Sequence, residues 1–216
     1  MTWQLAARIV AVLVVAYLLG GIPWALVIGQ RFYGLDVREH GSGNLGATNV
    51  LRALGLRAAI ATFLLDAAKG SLAVGFAVWL VPRVSFGDSA HTWAMFAATM
   101  AAILGHSYSP YIRFRGGKGV ATAAGAVFVI TPVVLLLALV VFALVVVLSR
   151  MVSLGSVVAT AVYPALCLVF YPGNWLIFGF GCVAAGLVIW RHRANIRRMA
   201  RGEEPKISFK RRGAAE

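Results

Sequence analysis

Three polar segments carry the residue types from which an anion-binding site is built. The first runs from Arg38 to Arg52 and interleaves Gly41, Ser42, Gly43, Asn44, Gly46, Thr48 and Asn49. Its glycines permit positive φ and close backbone approach, and successive N–H groups in such a turn make a concavity for an anion. Thr48 or Asn49 is placed to cap the helix that follows, and a helix N-terminus favours phosphate. A plain glycine-rich turn with a cap fits this loop equally well. The second segment, Gly105 to Thr122, contains Gly116-Gly117-Lys118-Gly119 after Arg113 and Arg115. It combines a small backbone, one fixed cation and a helix starting at once. A basic loop at a membrane edge explains its three cations but not three glycines around Lys118, which favours a functional reading. The third, Arg191 to Glu204, is a basic cluster of the stop-transfer kind, yet it also holds His192 and Asn195. These are three apart and so share one helical face.

Other chemistries are disfavoured by the same inspection. The second segment is not a Walker loop, because Ile112 and Gly119 stand where that loop needs glycine and Ser/Thr. The four histidines (40, 91, 106, 192) show no His-x-x-x-His spacing, and acids are too few for magnesium sites. No metal and no cofactor are therefore expected. A Gly-x-Ser-x-Gly elbow is absent. So is a His-x4-Asp pair: five residues after each histidine come Leu45, Phe96, Tyr111 and Arg197.

Hydrophobic segments must position these loops. The chain has 216 residues, 61% hydrophobic and 12% charged, with a mean hydropathy of +0.85. Soluble domains average about 25% charged, so an ordinary soluble globule and a nucleic-acid module are both excluded despite a pI near 10.9. Cys167 and Cys182 fall in apolar runs and read as reduced packing residues. Apolar stretches at 3–29, 54–81, 91–105, 119–131, 133–149, 153–171 and 174–190 predict seven transmembrane helices in a single polytopic membrane domain, 1–216. The first lacks a basic leader and reads as a retained span. Thr131-Pro132 divides 119–149, and Tyr171 to Asn174 is a turn. The segments at 91–105 and 119–131 are short enough to be tilted or half-buried. Segments 30–57, 106–118, 150–152 and 191–216 hold 17 of the 20 Lys+Arg, and alternation puts all four on one face. The positive-inside rule then predicts an outside N-terminus and a cytoplasmic C-terminus. All three polar segments share the cytoplasmic boundary, as a common anion site requires. The basic strip from Lys206 onward suits anionic membrane lipid. Asp66 and Lys69, three apart within the second span, are expected to pair, with a secondary role in orienting Lys118 or Arg52.

Together the segments resemble the bacterial acyl-phosphate:glycerol-3-phosphate acyltransferase family (PlsY). The Gly-Ser-Gly-Asn-x-Gly-Ala-Thr-Asn loop stands at 41–49. The Gly-His…Phe-x-Gly-Gly-Lys-Gly loop stands at 105–119, and His-Arg-x-Asn-Ile-x-Arg…Gly-x-Glu begins at His192. The resemblance implies a seven-helix fold in the bacterial inner membrane. It implies transfer of a fatty acyl group from acyl phosphate to the 1-hydroxyl of glycerol-3-phosphate, giving lysophosphatidic acid and phosphate for phospholipid synthesis. By the same resemblance, Ser42, Lys118, His192 and Asn195 are the catalytic set. Arg52, Thr48, Asn44, Gly43, Gly46, Ser156, Gly116, Gly117 and Gly119 bind or shape the site. The implied partners are glycerol-3-phosphate, acyl phosphate, membrane lipids and a soluble enzyme that supplies the acyl phosphate.

The residues permit a mechanism of positioning. Lys118, Arg52 and His192 are expected to hold the glycerol-3-phosphate phosphate, Ser42 and Asn195 to orient it, and the glycines at 43, 46, 116, 117 and 119 to offer amides to the acyl phosphate or the developing oxyanion. The hydroxyl proton goes either to the departing phosphate or to His192. An acyl-Ser42 intermediate is disfavoured because no adjacent base is visible. Two other classes compete. A phosphate transporter predicts a polar pathway through the membrane, which the apolar spans lack. A lipid-binding scaffold predicts that Lys118 is dispensable.

Overall fold

The computed structural model describes residues 2–81 and 89–207. Arg83 and the end of the basic tail, 208–216, lie outside the described residues. Those described fold as α-helices joined by short loops, in two compact units, 1–132 and 133–216.

The first unit begins with α1 (Trp3–Gly21) and α2 (Trp24–Tyr33). The apolar stretch is long enough for one span, but it is not one helix as the 3–29 pattern suggests. Pro23 has no N–H to continue the ladder, and Ile22 before it leaves the helical region at ψ 118°. A loop with a 3-10 turn at Val37–Glu39 leads to α3 (Ala47–Leu54) and α4 (Leu56–Leu80). The 25 residues of α4 extend about 37 Å, enough to cross a hydrocarbon core of about 30 Å. Then come α5 (Ser89–Ser107), a 3-10 turn at Pro110–Ile112, and α6 (Val120–Ile130). The break at Thr131-Pro132 falls where the sequence predicts it.

Close helix contact in this unit comes from reciprocal small residues. A side chain at Gly70 of α4 would strike the carbonyl of Thr122 on α6, and one at Gly125 of α6 would strike Ala67 on α4. Gly20 and Gly105 make the same exchange between α1 and α5. In a membrane there is no hydrophobic drive between helices, so such backbone approach supplies the packing. Ser71 adds a hydrogen bond, donating to the Gly125 carbonyl at 2.7 Å. Alanines dominate the core between these helices, among them Ala16, Ala73, Ala77, Ala98, Ala102 and Ala126.

The second unit holds α7 (Pro132–Ser149), α8 (Val152–Phe170), α9 (Trp175–Arg191) and α10 (Arg193–Ala200). Asn174 caps α9 by accepting from the Ile177 amide at 3.1 Å, after a turn with Gly173 at φ +75°. Val133, Leu136, Val140, Leu144, Val147 and Leu148 of α7 are exposed. A helix this apolar and this exposed faces lipid. Among the described residues, four helical stretches are long and apolar enough to span a membrane, and the pair α9–α10 makes five if counted as one. This is the architecture of an all-helical integral membrane protein.

Candidate active site

The loop before α3 is seated by apolar anchors. Val37, Leu45 and Val50 are buried together with Ala25, Leu26, Ile28, Ala58 and Ala59. Asp36 starts the loop by accepting the Arg38 amide at 2.9 Å. The Arg38 guanidinium beside it holds the Asp36 carboxyl below its usual range. The tip of the loop is closed by one side chain, Asn49. Its amide nitrogen donates to the carbonyls of Val37 (2.8 Å) and His40 (3.0 Å). Its oxygen accepts from the Ser42 amide (2.8 Å) and the Ser42 hydroxyl (3.2 Å). Asn49 is 2% exposed, so nearly its full hydrogen-bonding capacity serves this turn. Neither Thr48 nor Asn49 caps α3, contrary to expectation. The cap position is Gly46, with no side-chain bond. Ser42 stands exposed at the tip, with Asn44 half-buried below it. Thr48 and Arg52 are four apart on α3 and share one face.

The second loop is built on the end of α5. Ser109 donates to the Gly21 carbonyl and the Tyr17 hydroxyl to the Tyr108 carbonyl, both at 2.6 Å, which fastens the loop to α1. Arg113 and Phe114 adopt φ +52° and +59°, reversing the chain. The returning segment lies against α5, where Gly116 donates to the Ser107 carbonyl (3.1 Å) and Gly117 to that of His106 (3.0 Å). A Cβ on Gly116 would strike the His106 carbonyl, and one on Gly117 would strike His106 Nε2. These glycines are therefore required by packing. Their amides are committed, as is that of Gly43, which donates to His40 at 3.0 Å. The expectation that all five glycines offer amides to substrate is corrected for these three. Gly119, at φ +82°, turns the chain into α6, and Lys118 sits half-buried between buried Gly117 and Gly119. Ile112 packs into the same apolar cluster as Val37 and Val50, so the two loops of this unit are neighbours.

Beneath the second loop lies a polar cluster. Lys69 and Asp66 pair as expected, at 2.8 Å and with both side chains buried. The distance is ionic, with alignment too poor for a hydrogen bond at Asp66 Oδ1. Lys69 Nζ also donates to the Ile22 carbonyl and lies 2.9 Å from His106 Nδ1. An ammonium only donates, so Nδ1 accepts and the ring proton sits on Nε2, toward Gly117. The sequence shows no periodic link between residues 69 and 106, and His106 was not among the expected site residues.

In the second unit, His192 and Asn195 do not continue α9 in a straight line. His192 closes α9 and opens α10, and the axis bends there by 61°. His192 is 2% exposed, and its Nδ1 lies 2.8 Å from the Val188 carbonyl. A carbonyl only accepts, so Nδ1 carries a proton, and in the neutral ring Nε2 is then the accepting nitrogen. Asn195 donates to Glu204 Oε1 at 2.7 Å, Ser153 donates to the same oxygen at 2.6 Å, and Arg198 donates to Oε2 at 2.8 Å. Burial alone would raise the Glu204 carboxyl, but these three donors outweigh it and leave it below its usual range. Glu204 is thus the centre that sequence reasoning passed over. Its signal was the closing Glu of the Gly-x-Glu motif, Gly202 to Glu204, to which no role was assigned. One N–H of the Asn195 amide is thus committed to Glu204, which fixes the orientation of the group, with Oδ1 as its acceptor atom. Ser156 is buried and donates back to the Val152 carbonyl at 2.9 Å.

Comparison with known proteins follows the same residues. The sequence model of the family described as Glycerol-3-phosphate acyltransferase matches residues 10–202. A glycerol-3-phosphate acyltransferase of Bacillus cytotoxicus is 44% identical over 197 residues, covering 91% of this chain and 94% of the relative. That of Listeria monocytogenes is 42% identical over 194 residues, covering 90% and 94%. Among solved structures, PlsY, an integral membrane glycerol 3-phosphate acyltransferase, is similar in its glycerol 3-phosphate form. The TM-score is 0.82 at 38% identity, covering 93% of this chain and 96% of that one. Its lysophosphatidic acid form gives 0.81 at 37%, covering 93% and 95%.

Proposed function

This chain belongs to the glycerol-3-phosphate acyltransferase family and is an integral membrane enzyme of that activity, and from that premise we propose how it works. The donor is an acyl phosphate and the acceptor is the 1-hydroxyl of glycerol-3-phosphate. The new bond joins that oxygen to the acyl carbon, the acyl carbon–phosphate oxygen bond breaks, and the products are lysophosphatidic acid and inorganic phosphate. One observation carries this reading. The similar solved enzyme has a glycerol 3-phosphate form and a lysophosphatidic acid form, the acceptor and the product of such a transfer. No cofactor is required, because an acyl phosphate is already activated.

Roles follow from the chemistry of each side chain. Lys118 and Arg52 supply fixed positive charge for the glycerol-3-phosphate phosphate, and Arg52 can do so bidentately. Ser42 offers its hydroxyl from a tip held by Asn49. Asn195 Oδ1 is suited to accept from a glycerol hydroxyl. Asn44 and Thr48 are the further polar side chains of the first segment, Ser156 is a polar position on α8, and Gly43, Gly46, Gly116, Gly117 and Gly119 shape the loops. The departing phosphate takes the hydroxyl proton. The His192 tautomer favours a second reading in which Nε2 takes it.

We place the chain in the bacterial inner membrane with seven embedded segments, an outside N-terminus and a cytoplasmic C-terminus. The residue types at 30–57, 106–118, 150–152 and 191–216 support that orientation. With 11 residues, α6 extends about 16 Å and is a half-depth segment. The acyl phosphate arrives from a soluble enzyme that makes it, and its chain enters from the lipid.

The test is lysophosphatidic acid formation by purified protein given glycerol-3-phosphate and palmitoyl phosphate, with palmitoyl-CoA in parallel. Product only with palmitoyl phosphate, accompanied by equimolar phosphate release, is expected, and equal product formation from the thioester overturns the donor assignment. A His192→Gln variant separates the two proton acceptors. Loss of the acidic limb of the pH–rate profile, with a fall in kcat well beyond any change in KM, would sink the leaving-phosphate reading.

A further inference from the structure

The membrane-embedded Asp66–Lys69 pair has no place in the reaction as described, yet it is connected to the loop that carries Lys118. One ammonium joins three elements. Lys69 lies on α4, its partner Ile22 closes α1, and its partner His106 lies on the last turn of α5. Asp66, Lys69 and His106 are 2%, 3% and 7% exposed. From there the contact passes on to the loop. The His106 carbonyl accepts the Gly117 amide at 3.0 Å, and the ring's Nε2 occupies the space a Gly117 side chain would need. Backbone and ring of His106 thus define where Gly117 lies, and Lys118 is the next residue.

We infer that Lys69, through His106, is a positioning device for the Lys118 loop, so that His106 and Lys69 control the affinity for glycerol-3-phosphate without touching it. This rests on the reading that Lys118 holds the substrate phosphate. A charge buried this deeply is kept where it is paired and has a task. An ion pair serving only helix packing would not need its third partner to be the ring that abuts the loop.

The test uses the full-length protein in detergent, with palmitoyl phosphate saturating and glycerol-3-phosphate varied. His106→Asn keeps an acceptor near the Nδ1 position for Lys69 and removes the ring edge. A rise of at least tenfold in KM for glycerol-3-phosphate is expected, with kcat and the KM for palmitoyl phosphate within threefold. His106→Gln, which reaches the Nε2 position, should restore part of that loss. Gly117→Ala should raise the same KM, and the double variant Gly117→Ala/His106→Asn should be less impaired than the product of the singles, because the methyl then has room. A structural role alone would lower yield and active fraction while leaving every KM unchanged, and that result overturns the inference. If His106→Asn does not fold, Gly117→Ala decides: an unchanged KM overturns the inference, and a raised one sustains it. Lys118→Ala separates this from the reading beneath it. If Lys118→Ala raises the KM and His106→Asn does not, the positioning role alone fails. If Lys118→Ala is silent, the phosphate role of Lys118 fails first.

Discussion

Asn49→Ala should disable substrate binding without unfolding the protein. The substitution removes three hydrogen bonds to backbone groups, at the Val37 and His40 carbonyls and the Ser42 amide, and one to the Ser42 hydroxyl. At about 1 kcal/mol net for each backbone bond, the closed loop tip loses about 3 kcal/mol. Burial of Val37, Leu45 and Val50 is untouched, so the loop stays anchored and only its tip, 40–43, opens. Apparent affinity falls by the fraction of molecules still closed. If the tip is closed in nearly every molecule before substitution by a margin of about 2 kcal/mol, losing about 3 leaves about one in six closed. A margin near zero gives a loss approaching the full factor, about 100. The expected rise in KM for glycerol-3-phosphate is therefore about 6- to 100-fold, with kcat little changed. Asn49→Asp is the sharper variant. It is isosteric, and one oxygen still accepts from Ser42. The other meets two carbonyls at the distances where the amide donated, so the rise should equal or exceed that of the alanine. The assay is phosphate release against glycerol-3-phosphate concentration, with a melting curve in detergent to show that both variants fold. Two folded variants with KM within twofold of the parent would refute the claim that Asn49 holds the Ser42 tip for substrate.

Further outcomes follow from other elements. Gly70→Val and Gly125→Val each drive a side chain into facing backbone, which should cost about 3 kcal/mol and show as a fall of several degrees in Tm. Gly75→Val, on the same helix α4 with open space around it, should leave Tm within about two degrees apart from a small propensity loss. Equal losses at all three would show that close approach is not what these glycines supply. At Glu204 the folded carboxyl sits below its ordinary 4.5, so its contribution is fully present above that value and is lost as the pH falls through the lower folded value. The Ile207 amide, bonded to the Arg150 carbonyl at 2.8 Å, should therefore show constant protection thermodynamics from pH 8 to 5 and lose them only in acid. Deprotection between pH 8 and 5 would contradict this. Glu204→Gln should loosen Ile207 at every pH and abolish the acid limb.

The helices were legible because their signals are local. Runs of apolar residues, Pro132 and the turn at 171–174 each act within a few positions of themselves. The break at Pro23 carries the same kind of signal, but it is submerged in an apolar run that is long enough to be one span. The bend at His192 carries no local signal, since a basic helix continuing outward is what its arginines suggest. At the site, residue types were legible and their commitments were not. Asn49 reads as a cap by its place beside Thr48, whereas its partners stand 7 to 12 positions away in an irregular loop. Gly116 and Gly117 read as phosphate-binding amides, whereas α5 has already taken those donors. The two buried histidines make the point most sharply. His106 and His192 each end a helix at a polar segment, and nothing in their neighbours distinguishes them chemically. Nδ1 of His106 meets an ammonium, which leaves a proton on Nε2. Nδ1 of His192 meets a carbonyl, which leaves a lone pair there. In the neutral rings Nε2 is therefore the donor edge of His106 and the acceptor edge of His192, a difference set by partners that the flanking residues do not announce.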